Sequence, residues 1–218
     1  MLRNCCLFVL LYVACSQAAM SLEVGITREL GEFVLEHGGQ PITIIRNQDT
    51  EAMITPDFAR TSRPCPPFCA QPMEAAEGVK TIGEIELIQF MRTQVRDGSG
   101  ALVDARTADW HARGTIPGSI NIPFNQLNSA QGADDLILEE SLARLGVSWR
   151  LEAWDFSNAK TVVLWCNGPW CGQSPTAIRG MLSLGYPPEK ILYYRGGLQL
   201  WLVFGLPVVY PDGRLREE

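Results

Sequence analysis

The strongest constraint on the fold is the alternation of short apolar strands with amphipathic helices from Val79 onward. The clearest strand is Thr161–Trp165 (TVVLW), and the next helix is predicted to open with Ser174 as N-cap and Pro175 at the first helical position. The pattern also predicts strands at 101–104, 119–122, 191–194 and 208–209 and helices at 108–112, 136–145 and 198–204. Because strands that alternate with helices of this length form parallel βαβ units, the sequence predicts a layered α/β fold.

The first 18 residues have the layout of a secretory signal peptide. Arg3 gives a positive start, and the apolar run Cys5–Ala14 is shorter than the about 20 residues that a membrane span needs. Ser16 and Ala18 place small side chains before a cleavage site that follows Ala18. We therefore expect residues 1–18 to be removed and the mature protein to be exported to the periplasm, without a stable membrane span.

Two other interpretations of this segment stay open. Val13-Ala14-Cys15 partly fits a lipoprotein signal, although Tyr12 stands where that signal has an aliphatic residue. Cys15 is therefore a candidate for lipid attachment, and a buried N-terminal helix is the structural alternative.

Residues 19–78 are predicted to form an N-terminal arm or small subdomain ahead of the main domain at 79–212. The segment contains one β-branched strand candidate, Pro41–Arg46 (PITIIR). Its later part, 61–72 (TSRPCPPFCAQP), carries prolines that exclude a regular helix or a central strand. We interpret this part as a Pro/Cys-rich arm.

Four of the seven cysteines remain after the predicted cleavage, as the two close pairs Cys65/Cys69 and Cys166/Cys171. Four cysteines allow three disulfide connectivities, and the sequence does not choose among them. In an oxidising compartment structural disulfides are expected, with Cys65 and Cys69 as the stronger candidate pair. A four-thiolate zinc site fits poorly because such sites usually use Cys-x2-Cys pairs, so no metal site is predicted.

Charge and motifs exclude several functional classes. The formal net charge is −6 and no run of four Lys or Arg residues occurs, which excludes a nucleic-acid partner. No phosphate-binding loop or dinucleotide fingerprint is present, so no cofactor is predicted. His37 and His111 form no recognisable catalytic arrangement, and we expect His111 to lie in solvent on a short helix.

Cys166 occupies the position where parallel sheets bind ligands, directly after the strand 161–165. The loop Asn167–Gln173 contains two glycines, so several backbone N–H groups can point inward. The following helix adds unsatisfied N–H groups and the positive end of its dipole. A thiol surrounded by such N–H groups ionises more easily, and the same N–H groups can bind an anionic sulfur group. A buried structural cysteine is the alternative.

Three motifs in order make the chain resemble the rhodanese-like domains, over about residues 79–210. LVDART with WHARGTIPGSINIPF is similar to the family's Asp-x-Arg strand end and the segment that follows it. WCNGPWCGQSPTAI corresponds to the loop of the active-site cysteine, and YYRGGLQLW to the terminal GG-x-x-x-W signature. The resemblance implies a parallel β-sheet core flanked by helices on both faces.

The resemblance also implies a sulfurtransferase that acts through a persulfide on Cys166. Its substrates would be a small anionic sulfur donor such as thiosulfate and a thiol or cyanide acceptor, with a protein sulfur carrier as a further candidate partner. Asp104, Arg106 and Arg195 would support the loop, and Trp201 would belong to the core. The residues that would form the substrate-binding loop are Asn167, Gly168, Trp170, Cys171, Gly172, Gln173 and Ser174.

The loop differs from the family pattern in two respects. Ser174 follows Cys166 by eight residues, about two more than usual, and the loop contains neither Lys nor Arg. The related arsenate reductases and phosphatases need a loop arginine to stabilise oxyanion charge, which disfavours those functions here. We hypothesise that Arg60 and Arg63 supply the missing positive charge if the arm folds over the loop.

Cys171 leaves two further functions open. A thiol beside Cys166 can resolve a persulfide or sulfenate by forming a disulfide, which would make the protein a thiol–disulfide or sulfur-relay protein. A catalytically silent module whose cleft binds a protein partner is the remaining alternative.

Overall fold

The computed structural model describes residues 24–54 and 56–216. The predicted signal peptide and the lipid-attachment candidate Cys15 lie outside the described residues. Within them, no helix is both long and apolar enough to cross a membrane.

The alternation predicted from Val79 onward is present in the structure, whereas strands β1, β6 and β7 were not predicted. The strands are β1 Glu32–His37, β2 Gln40–Ile45, β3 Lys80–Ile82, β4 Gly100–Asp104, β5 Ser119–Asn121, β6 Ser148–Arg150, β7 Ala153–Asp155, β8 Thr161–Trp165 and β9 Ile191–Tyr194. The helices are α1 Pro56–Ala59, α2 Glu84–Phe90, α3 Ala108–Ala112, α4 Asp135–Ala143, α5 Gln173–Ser183 and α6 Gly197–Val203. A π-helical turn, Met91–Val95, continues α2.

The central sheet has five parallel strands in the order β3-β9-β8-β4-β5. Its inner strands β4, β8 and β9 are almost entirely buried on both faces, as is typical of parallel strands, whereas the edge strands β3 and β5 are partly exposed. Along β8, Val163 and Trp165 pack with α2 and α6, whereas Val162 and Leu164 pack with α4 and α5. The predicted α/β fold, a parallel sheet flanked by helices on both faces, is confirmed.

The N-terminal arm packs against this core. The antiparallel hairpin of β1 and β2 places Phe33 and Ile44 in the same apolar cluster as Trp165 and Trp201. Phe58 of α1 joins this cluster. The apolar face of the arm and one face of the sheet therefore form one continuous core.

Several predicted elements begin or end one or two residues from their observed bounds, and two of the differences change the structural interpretation. Helix α5 begins at Gln173 with Gly172 as N-cap, so Ser174 lies in the first turn and does not cap the helix. Its hydroxyl is turned toward Cys166 instead. The predicted strand at 208–209 is reduced to isolated bridges, in which Val209 pairs with Thr115 and Leu215.

Candidate active site

Cys166 lies at the carboxyl end of the central strand β8, beneath the loop that follows it. Its side chain is 2% exposed, and its thiol donates a hydrogen bond to the Cys171 carbonyl at 3.2 Å. The loop therefore curls back over the sulfur.

Hydrogen-bond donors around Cys166 favour its thiolate. Burial acts to raise the pKa of the thiol, but hydrogen bonds from the Cys171 thiol and the Ser174 hydroxyl oppose it. Backbone N–H groups of Ser174 and Gly168 add to this effect, so the pKa of Cys166 lies below its usual range. The Ser174 side chain is fully buried, and among the described residues its hydroxyl oxygen has no hydrogen-bond partner of normal geometry.

Cys171 has the opposite character. Burial raises the pKa of its thiol well above the usual range, and the neighbouring Cys166 sulfur raises it further. Both cysteines are free thiols in the structure. The loop thus pairs a thiol that ionises readily with one that stays protonated and can donate a hydrogen bond.

The first turn of α6 holds the backbone of the loop. The N–H of Leu198 donates to the Cys166 carbonyl at 2.9 Å, and the N–H of Gln199 donates to the Asn167 carbonyl at 3.0 Å. Gly197 has a φ of 57°, and a Cβ at this position would collide with the Cys166 carbonyl. Only glycine allows this approach, which explains a glycine at the start of α6.

A buried ion pair supports the loop from below. Arg106 donates to Asp104 through Nε to Oδ1 at 2.8 Å and through NH2 to Oδ2 at 2.6 Å. Burial acts to raise the pKa of Asp104, but the Arg106 guanidinium and the His111 side chain together outweigh it and hold that pKa below its usual range. Arg106 also contacts the loop, since its NH1 lies 3.5 Å from Asn167 Oδ1.

The expectation that His111 lies in solvent is wrong. Its Nδ1 lies 3.0 Å from Asp104 Oδ2, and its side chain is largely buried. The Thr115 hydroxyl donates to the same carboxylate oxygen at 3.0 Å. Sequence reasoning missed both residues because this contact depends on how the chain returns to β4 after α3.

The arm covers the loop from the other side. The N–H of Gln71 donates to the Pro169 carbonyl at 2.8 Å, and Phe68 packs edge-on against Trp170 at 5.6 Å between ring centroids. Arg195 donates to the Gln71 carbonyl at 2.8 Å and to the Pro72 carbonyl at 3.2 Å. Through these bonds Arg195 anchors the arm, and its link to the loop is indirect.

The candidate disulfide between Cys65 and Cys69 is formed in the structure, within the part of the arm that carries Phe68. The arginines of the arm do not line the cleft beside Cys171. Arg63 stacks on the Trp170 ring at 3.8 Å from its centroid, and Arg60 is exposed.

Five of the seven predicted loop residues line a cleft of about 320 Å³, and Gly168 and Ser174 do not. Four of the ten lining residues are aromatic, and Cys171, not Cys166, is the cysteine on the cleft surface. The lining residues are Pro67, Phe68, Trp110, Phe124, Asn167, Trp170, Cys171, Gly172, Gln173 and Thr176. Within residues 24–54 and 56–216, no group of three or more His, Cys, Asp or Glu side chains could hold a metal ion.

Comparisons with solved structures find similar chains from several organisms. A protein from Bacillus halodurans is 22% identical with a TM-score of 0.44, over 62% of this chain and 79% of that chain. A human single-domain sulfurtransferase is 24% identical with a TM-score of 0.39, over 57% and 96%. An As-Sb reductase from Leishmania major is 20% identical with a TM-score of 0.43, over 63% and 92%. No protein of curated function matches the chain.

The family comparison agrees with the three sequence motifs and with the parallel sheet. The model of the rhodanese-like domain matches residues 88–203, which is more than half of the chain and includes the Cys166 loop and the first turn of α6. The chain belongs to the rhodanese-like domain family.

Proposed function

We propose that the protein is a sulfurtransferase that carries sulfane sulfur as a persulfide on Cys166. The observation that carries this proposal is the environment of the Cys166 thiol. It is buried at the carboxyl end of the central strand, its pKa lies below the usual range, and hydrogen-bond donors surround it. These conditions favour a nucleophilic thiolate.

The reaction has two balanced steps. The Cys166 thiolate attacks the sulfane sulfur of a donor such as thiosulfate, forming a sulfur–sulfur bond while the donor's sulfur–sulfur bond breaks. The bonding pair leaves with sulfite, and Cys166 holds a persulfide anion. A thiol or cyanide acceptor then attacks the outer sulfur, becomes a persulfide or thiocyanate, and regenerates the Cys166 thiolate.

The Ser174 hydroxyl and the N–H groups of Gly168 and Ser174 are suited to stabilise both sulfur anions. These donors already oppose the effect of burial on the pKa of the Cys166 thiol. Donors fixed by the fold need no reorganisation when charge develops on the transferred sulfur.

A sulfur relay is the second candidate function, because Cys166 and Cys171 are both free thiols buried in one loop and each shifts the pKa of the other. After loading, the Cys171 thiol can lose its proton and attack the inner sulfur of the persulfide. This forms a Cys166–Cys171 disulfide and releases hydrosulfide, with the persulfide as oxidant. A protein dithiol would then have to reduce the disulfide.

Turnover with a sulfane donor and cyanide tests the proposal, with thiosulfate and an organic thiosulfonate as separate donors. We expect thiocyanate from the unmodified protein and from Cys171→Ser, and none above the uncatalysed rate from Cys166→Ser. Two results together would establish the relay: hydrosulfide release that is lost in Cys171→Ser, and a Cys166–Cys171 disulfide found by peptide mapping. A reduced Cys166 that reacts with no donor or thiol reagent would leave a silent binding module.

We also propose that the protein works in the periplasm after export. The Cys65–Cys69 disulfide supports an oxidising compartment, because disulfides persist there and are rare in the cytosol. N-terminal sequencing of the mature protein tests this: we expect a chain that starts at Ala19. A lipid-modified Cys15 at the N-terminus or an uncleaved chain would contradict it.

A further inference from the structure

The cleft above the reactive loop has no charged wall. Among the described residues, the ten that line it include no Lys, Arg, Asp or Glu. A dianion such as thiosulfate would lose part of its hydration there without a cation to compensate it, which is unfavourable. The cleft is therefore poorly matched to a small dianionic donor.

The cations beside the cleft are engaged by other groups, and one of them, Arg179, donates to the hydroxyl of the lining residue Thr176 at 3.1 Å. Arg106 is buried and bonded to Asp104, so it contributes little net charge to the loop. Arg63 stacks on Trp170, and Arg113 stacks on Trp110 at 5.0 Å from the ring centroid. These two arginines place positive charge beside aromatic walls of the cleft, although neither lines it.

Four aromatic rings form part of the cleft wall, and the arm supplies one of them. Phe68 lies on the Cys65–Cys69 segment, whereas Trp110 comes from α3 and Trp170 from the reactive loop. Rings from different parts of the chain thus converge above Cys171, in a volume typical of small-ligand sites. Aromatic walls favour a ligand with a planar apolar body.

We infer that the sulfur donor of this protein has an aromatic or other planar apolar body and carries at most one negative charge. This rests on the proposed function, since it names the substrate class of the same site. The donor body occupies the cleft between Phe68 and Trp110, and its sulfane sulfur is presented to the Cys166 thiolate past Cys171. Thiosulfate is then a poor donor.

Three donors separate the effects of charge and of the apolar body: thiosulfate, methanethiosulfonate and benzenethiosulfonate. Each transfers one sulfur to the Cys166 thiolate, as its sulfur–sulfur bond breaks and the bonding pair leaves with sulfite, methanesulfinate or benzenesulfinate. The two thiosulfonates have the same charge and differ in the body alone. The rate constant for persulfide formation on Cys166 is divided by the rate constant for the reaction of glutathione with the same donor. This correction removes differences in intrinsic reactivity between the donors.

We expect single-turnover persulfide formation to be at least about tenfold more efficient with benzenethiosulfonate than with methanethiosulfonate after this correction, because the ring is buried. Phe68→Ala should lower that ratio several-fold. Phe204→Ala is the matched control, because its ring is 42% exposed, close to the 39% of Phe68, and does not line the cleft. This control should leave the ratio unchanged.

Three outcomes would overturn the inference while sulfur transfer itself stands. They are a corrected ratio of benzenethiosulfonate to methanethiosulfonate efficiency near one, thiosulfate as the best donor, and the same corrected ratio in Phe68→Ala as in the unmodified protein. Calorimetry with the sulfinate products, which carry no sulfane sulfur, separates the two proposals. If no donor loads Cys166, the proposed function fails, but benzenesulfinate that binds at least about tenfold more tightly than methanesulfinate still supports the aromatic site. Equal binding of the two sulfinates would overturn it.

Discussion

At the scale of single residues, two thiols in one loop differ because their hydrogen-bond partners differ. Cys166 is surrounded by donors, and the pKa of its thiol is lowered although burial acts to raise it. Cys171 is buried beside Cys166, so the pKa of its thiol is raised. The loop therefore has a defined order of ionisation, with Cys166 first.

Replacing Ser174 tests the source of this order. Ser174→Ala removes a buried hydroxyl that lowers the pKa of the Cys166 thiol, so we expect that pKa to rise and the thiolate to form only at higher pH. Thiolate absorbance measured against pH reports the midpoint. Ser183→Ala on the same helix is the control, because its hydroxyl donates to the Gly180 carbonyl. An unchanged midpoint in Ser174→Ala would contradict this account.

The ion pair below the loop gives a prediction of stability. Asp104→Asn leaves Arg106 buried without its counter-charge, so we expect the free energy of unfolding to fall by about 3–5 kcal/mol in urea denaturation. Asp212→Asn breaks the exposed pair with Arg214 and should leave stability unchanged within error. Equal effects of the two substitutions would contradict the support role of Asp104.

The same pair predicts a pH dependence. Because the folded pKa of Asp104 is below that of the unfolded chain, its stabilising effect is complete above about pH 4. This effect is lost as the pH falls through the folded pKa. Stability measured against pH should therefore fall in acid by more in the unmodified protein than in Asp104→Asn.

The sequence predicts the reactive residues better than their partners. Cys166 and its loop follow from a strand, a glycine-containing loop and a helix that are adjacent in the chain. His111 and Thr115 meet Asp104 only through the path of the chain after β4, which periodicity does not specify. The cleft wall at Phe68 likewise depends on where the arm docks.

At the scale of elements, the start of α6 fixes the position of the loop. Gly197→Ala would place a Cβ against the Cys166 carbonyl and would strain a φ of 57°. We expect sulfur transfer to fall by about 100-fold, since small displacements of a reacting group have effects of this size. Gly98→Ala is the control, because its φ is also positive but a Cβ there meets nothing within 4 Å. Similar activity losses in both variants would show that backbone strain, not the contact with the loop, is responsible.

Most elements are predictable because their patterns are local. Strand β8 and helix α3 have the predicted bounds, whereas α5 begins at Gln173 and not after Ser174. A serine directly before a proline is a typical helix N-cap, but here the Ser174 hydroxyl turns toward the Cys166 thiol. The preference of serine for the N-cap position is therefore overridden at Ser174, whose side chain faces the Cys166 site.

At the scale of the whole molecule, the arm is part of the core. Ile44 is fully buried in the cluster that contains Trp165 and Trp201. We expect Ile44→Ala to lower the free energy of unfolding by about 2–5 kcal/mol and to shift one cooperative urea transition. Val34→Ala changes a 48% exposed residue of the same hairpin and should have far less effect. A separate early transition in Ile44→Ala would show that the arm unfolds independently.

The central claim is that Cys166 holds the transferred sulfur. The most direct measurement is the intact mass of the protein with free Cys166 and Cys171, before and after a sulfane donor and again after cyanide. Our account predicts a gain of one sulfur atom, its removal by cyanide, and no gain in Cys166→Ser. No gain with any of the three donors, or a gain that persists in Cys166→Ser, would contradict it.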